Sequence, residues 1–296
     1  MIVRKNLKLS VVARVSGPRV VFATLWAGLL VFAFENGATF LSVPNTAVAP
    51  MGTALAIFLA FHNNGSYDRW WEARKQWGQL VNSSRTFARQ VKGFIDSTDV
   101  VHRELIHRHI AFVHALRLHL RRQPELLHEL APLLPHGELD LVRSSSNVPL
   151  ALMQRQADQL KALRASGAIG EFRAIQLDQT LTDLANVQGA CERIKNTPLP
   201  RQYEYFTRLF VYFFVLILPS TNLEALGWAT PFFTVPTSFL FFALEGVASV
   251  NEDPFENRIQ DTPMTALSRT IEINLRELNG EKDVPPPMQP VDGYLM

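Results

Sequence analysis

Five histidines crowd one stretch of the chain: His102, His107, His109, His114 and His119. A metal held on one helix face wants histidines at i and i+4, often with a carboxylate, because that spacing stacks two imidazoles on neighbouring turns. No pair here is three or four residues apart. His107 and His114 share a face, but two turns separate them. The plainer expectation is a solvated face rich in His and Arg, with Arg103, Arg108 and Arg117 interleaved. A membrane metalloenzyme that uses His107 or His114 is kept as an alternative. Other chemistry is thinner still. No glycine-rich phosphate loop or nucleophile elbow is present. Ser83-Ser84 and Ser144-Ser145-Ser146 lack a recognisable base nearby. The single cysteine, Cys191, excludes an intrachain disulfide and reads as a buried, inert thiol. An enzyme is therefore not expected, and neither a metal nor a cofactor is implied. A net charge of +2 over 296 residues exerts no pull toward nucleic acid.

The elements around these residues are uneven in polarity. Some stretches carry no charge while others are densely charged, as in a membrane protein with a sizeable aqueous part. Crossing a bilayer takes about 20 mostly apolar residues. Four segments qualify: about 20–41, with Glu35 its only charge; 44–67, without charge; 205–223, with Arg208 near its start; and 226–250, with Pro231 and Pro236 inside it and Glu245 near its end. The third is the weakest, since its continuous apolar part is short. The prolines in the fourth predict a kinked or broken helix. Residues 1–19 are basic (Arg4, Lys5, Lys8, Arg14, Arg19) without a cleavage site after a short apolar core, so no signal peptide is expected. Lys and Arg also abound in 69–92 and are missing from 36–46 and 219–225. The positive-inside rule then places both termini and the long middle segment in the cytoplasm.

The cytoplasmic part, about 68–204 and 251–280, reads as helical. Helical spacing runs through Val101–Leu120, and further helices are expected over Met153–Leu163, Glu171–Ile194 and Pro263–Leu278. Thr262 or Asp261 is the expected N-cap of the last one. "GELDLVRSSSNVP" reads as a loop, and the tail 281–296 is Pro-rich.

The second span carries a pattern of its own. Thr53, Ile57 and Phe61 fall at i, i+4 and i+8 and form one stripe, among the small residues Gly52, Ala54, Ala56 and Ala60. The stripe is either ordinary packing against lipid or core, or a hydrophobic constriction that gates by dewetting. One stripe per chain cannot enclose a pore, so the second reading demands an oligomer, usually a closed ring. Directly after it come "HNNGSYDRWWEARKQWG", with paired tryptophans and clustered charges at the expected cytoplasmic interface.

The chain resembles the bestrophins, membrane ion channels also called RFP-TM proteins, and their bacterial branch above all. Three stretches carry the resemblance: "FHNNGSYDRWWEARKQWGQLVNSSR", "GACERIKNTPLPRQY" and "NEDPFENRIQDTPMTALSRTIEINL". It extends over nearly the whole length and implies one domain, 1–296. The implied fold is an all-α membrane protein. Four transmembrane helices and a large helical cytoplasmic region assemble as a homopentameric ring around one central pore, in the inner membrane of a bacterium. The implied function is passive conduction of small monovalent ions, with chloride or another anion by family and a cation such as sodium as in bacterial relatives. A secondary transporter of small anions is the other alternative.

The resemblance places the pore neck at Thr53, Ile57 and Phe61, where Thr53 departs from the usual bulky apolar residue and implies a wider outer end. It implies a cytoplasmic constriction at Phe172, or Ile175 if a gap intervenes. His62, Asn63, Asn64, Asp68, Arg69, Trp70 and Trp71 form the base of the pore helix, with the first three expected to meet ions leaving the neck. Eukaryotic members carry a calcium clasp on an acidic run after the fourth span. Here Asp253-Pro254-Phe255 is followed by Glu256, Asn257 and Arg258. Calcium wants about six to eight oxygen ligands, so no calcium activation is expected.

Overall fold

The computed structural model describes residues 1–2 and 9–295, with side chains in the first helix from residue 16 onward. Arg4, Lys5, Lys8 and the Arg14 side chain lie outside the described residues. The described residues form ten α-helices and no strand: α1 (Leu9–Glu35), α2 (Asn45–Phe94), α3 (Asp99–Arg121), α4 (Glu138–Arg143), α5 (Val148–Ala165), α6 (Glu171–Asn196), α7 (Arg201–Ile217), α8 (Leu223–Leu226), α9 (Thr230–Asn251) and α10 (Met264–Leu278). The contacts divide the chain into two compact units.

The first unit comprises Arg4–Arg69 and Pro198–Asp253. Among the described residues of the whole chain, three stretches are long and apolar enough to cross a membrane: Ser16–Glu35, Thr39–Phe94 and Leu223–Asn251. The expected third span forms α7, which is 17 residues long and gives way to a 3-10 turn at Leu218–Thr221. α7 is apolar on both faces. Val211, Phe214 and Val215 are buried, while Phe206, Leu209, Phe210 and Phe213 stand exposed. Side chains so placed need a non-aqueous neighbour. The expected break in the fourth span lies ahead of the helix. Gly227 takes φ +49, a region that disfavours any Cβ, and α9 then runs unbroken. Pro231 sits in its first turn, where the missing N–H bonds nothing anyway, so Pro236 is its one interior proline.

Close approach knits this unit together. A Cβ on Gly52 would stand 2.9 Å from the Phe214 ring, so α2 meets α7 so closely that any side chain at 52 would push that ring aside. Phe58 stacks on Tyr203 at 5.7 Å. Charges of α1, α7 and α9 meet at Glu245. Glu245, buried on α9, accepts from Arg19 of α1 at 3.0 Å and from Arg208 of α7 at 3.1 Å. Arg208 also reaches Glu204 at 2.7 Å. An ionised group in an apolar segment is costly unless paired, and these are.

The second unit comprises Trp70–Thr197 and Pro254–Met296, with Met1–Val3. Its centre is α3, packed against α5, α6 and α10. This overturns the expected solvated His/Arg face. His102, Arg108, His109 and Arg117 are all buried. The helix is apolar at Leu105, Ile106, Ile110, Val113 and Leu116 and is enclosed over most of its length, Arg103 near its start staying exposed, so its buried polar residues must find partners inside. His109 bonds Ser84 at 2.9 Å, and burial pushes its imidazole down to about 3. His107 and His114 face the carboxylates of Glu281 and Glu272, at 2.7 and 3.2 Å. Two smaller expectations also change. The stretch read as a loop contains α4, whose Glu138 pairs with Arg108. The N-cap of α10 is Pro263, without a side-chain hydrogen bond, in place of Thr262 or Asp261. Cys191 is buried on α6, and burial, with Glu192 and Glu72 nearby, pushes its thiol up to about 12.

The His–Glu pairs make stability depend on acid. Burial alone would raise the Glu272 carboxyl, but the His114 hydrogen bond, with Arg269 and Arg276 near, holds it below its ordinary value. Glu281 follows the same logic, with bonds from Asn279 and His107. A depressed carboxylate contributes stability above its unfolded value, near 4.3, and loses it as pH falls through the folded one. The thermal midpoint of the purified protein is expected to fall as pH drops below the unfolded carboxylate value of about 4.3. Glu272→Gln should flatten that slope, and an unchanged slope would remove Glu272 from the account.

Candidate functional site

The structure places Thr53, Ile57 and Phe61 on one exposed stripe of α2, with Ile57 55% and Phe61 70% exposed. Leu55 and Leu59, on the other side of the same turns, are buried. Thr53 bonds its hydroxyl to the Ala49 carbonyl at 3.2 Å within its own helix. The stripe continues beyond the apolar part. Asn64, Asp68, Trp71 and Lys75 are exposed at steps of three or four residues, so they stay on the same side of the helix. Asp68 thus adds a carboxylate to this line. Periodicity would have found it had the apolar pattern been extended past Phe61.

The residues of the helix base separate into two groups. His62 does not share the stripe: it is 3% exposed, its Nε2 is 3.8 Å from the Glu252 carboxylate, and neither ring nitrogen is hydrogen-bonded. This corrects the expectation that it meets ions. Residue 62 is one step, about 100°, from Phe61, which turns it into the packed side. Asn63 is tied down as well, donating to the carbonyls of Leu59 and Leu244 at 3.0 and 3.1 Å. Asn64 alone of the three is exposed. Arg69 donates to the Glu252 carbonyl at 2.9 Å, and Trp70 Nε1 donates to the Gln260 carbonyl at 3.0 Å. Trp70 and Trp71 stack at 6.3 Å. The charges nearby pair as Lys75–Glu72 at 2.7 Å.

Phe172 and Ile175 lie in the first turns of α6 and are 85% and 62% exposed. Both are large apolar side chains on the surface of this chain. After α9, Glu256 pairs with Lys195 and the Asp261 carboxylate accepts from the Arg258 N–H at 3.0 Å. Among the described residues, no group of three or more His, Cys, Asp or Glu is arranged to hold a metal ion.

The family model described as Bacterial/Fungal Bestrophin protein matches residues 3–277. The chain belongs to the bestrophin family. Among the curated relatives of this bestrophin, the voltage-dependent anion channel-forming protein YneE of Escherichia coli K12 is 37% identical over 245 residues, which is 82% of this chain and 80% of that protein. The voltage-dependent anion channel-forming protein RSc3414 of Ralstonia nicotianae is 37% identical over 244 residues, covering 81% and 79%. Among solved structures, the crystal structure of a bacterial bestrophin homolog from Klebsiella pneumoniae superposes with a TM-score of 0.85 at 29% identity, over 89% of this chain and 98% of that one. This bestrophin is thus an integral membrane protein of an ion-channel family, and its curated relatives are named as channel formers.

Proposed function

We propose that this bestrophin is the pore-forming subunit of a homopentameric channel that passes small monovalent ions passively through a hydrophobic neck. Its whole length, 1–296, acts as one bestrophin domain with four transmembrane helices, α7 being the short one. Both termini and the region 68–204 lie in the cytoplasm of a bacterial inner membrane, the assembly being bounded by lipid and built from copies of this chain. The observation that carries the reading is the exposed stripe Thr53, Ile57 and Phe61 on a helix whose other side is packed. Five such stripes around an axis make rings of apolar side chains, which hold back ions by excluding water. Phe172 and Ile175 supply the candidates for a second, cytoplasmic narrowing.

Anions are the ions that the relatives' names support. A cation reading has its own support in Asp68, a carboxylate in line with the neck, since rings of acidic side chains favour cations. Pure protein in liposomes should release ions under a gradient without any other substrate, and an absence of flux would overturn the channel. Reversal potentials in asymmetric salt separate the two ion readings by their sign. In the same bilayers, micromolar calcium should leave open probability unchanged. A reversible rise would mean that a clasp exists after all.

A further inference from the structure

The second unit contains a cavity of about 400 Å³ that the channel reading does not use. We propose that it binds a small organic phosphate, with the phosphate held by Arg122 and Arg143 and the organic body on an apolar floor. The cavity lies at the lower end of the usual range for small-molecule pockets, about 300–1,000 Å³. Leu118, Leu127 and Val148 line its apolar side. Arg122, Arg143, Ser145 and Ser146 line its polar side and are exposed. Planar guanidinium forks match phosphate oxygens bidentately, and serine hydroxyls add donors.

The charges at the cavity are unevenly committed. Glu192 is its one carboxylate, and it is already engaged by Asn147 and Gln188, with His119 3.7 Å away. Lys195 is paired with Glu256. Arg122 and Arg143 have no such partner among the described residues. The pocket therefore presents two uncommitted cations beside apolar surface, which complements an anion carrying a hydrophobic group.

Arg122 also sits at a costly place. It caps α3 in the left-handed conformation, φ 56 and ψ 47, where glycine is the favoured residue. The side chain thus stands at the cavity rim at the expense of backbone comfort. This permits a clean variant, because Arg122→Gly removes the guanidinium while easing the cap.

The test is calorimetric titration of the full-length protein in detergent with phenyl phosphate. Saturable binding is expected, weakened about tenfold or more in Arg122→Gly and in Arg143→Gln, since each removes a charge-assisted contact. Lys161→Gln, outside the cavity, should leave it unchanged. Benzoate should bind more weakly and benzyl alcohol not at all. No saturable binding of phenyl phosphate, or binding in both arginine variants as tight as in the parent protein, would overturn the site. If inorganic phosphate binds as tightly as phenyl phosphate, the apolar floor plays no part and that half of the proposal fails. The readout is binding alone, so its failure and the failure of conduction are separate results.

Discussion

Liposomes carrying the Ile57→Ala/Phe61→Ala variant are expected to pass monovalent ions at least about tenfold faster than the parent protein, a change that needs a barrier lowered by only ~1.4 kcal/mol. Both side chains are exposed in the single chain, so removing them costs little folding stability. In a ring, the double change removes two bulky apolar groups from every subunit at once, and water can fill the gap they leave. Leu59→Ala is the matched control. It shortens a buried residue on the other side of the same helix and should loosen packing without opening the path. Thr53→Ile should act oppositely, narrowing the outer end and lowering flux. Unchanged flux in the double variant would take the neck away from Ile57 and Phe61.

The largest effect on stability is expected from Glu138→Ala. Arg108 and Glu138 are 5% and 4% exposed and meet through two parallel contacts, at 2.5 and 2.7 Å. Removing the carboxylate leaves a guanidinium in the core with only Glu104 and Gln159 to answer it. Breaking such a pair from one side costs ~3–5 kcal/mol. The remaining partners should hold the loss near the lower figure. Thermal unfolding in detergent measures it. The double variant Arg108→Met/Glu138→Leu should recover most of the loss, because an apolar pair of similar volume needs no desolvation. A Glu138→Ala midpoint equal to the parent's would show that Arg108 is hydrated.

Helices were legible in the sequence wherever a long period-3.6 pattern ran without interruption. α3 was expected over Val101–Leu120 and spans Asp99–Arg121, and α6 was expected over Glu171–Ile194 and spans Glu171–Asn196. The stripe on α2 was visible for the same reason. Burial of most of the polar side of α3 was not legible. α3 carries histidines and arginines in every turn, and composition made it look solvated. The partners that allow its burial, Glu138, Glu272 and Glu281, come from distant segments that no local window contains. His62 differs from the expectation for another reason. Its neighbour Phe61 is exposed, but one helical step turns the next residue into the packed side. The α4 turn was hidden because six residues are too few to show a period.

The lone thiol on α6 has a practical consequence. Thiol reagents attack the thiolate, and Cys191 is both enclosed and held protonated far above neutral pH. The native protein is therefore expected to take up no maleimide or methanethiosulfonate label at Cys191. A cysteine introduced at position 53, 57, 61, 64 or 68 would be the one reactive sulfur in the chain. Labelling rates along that line, read from either side of a membrane, would chart the water-accessible route residue by residue in a background that needs no prior removal of cysteine.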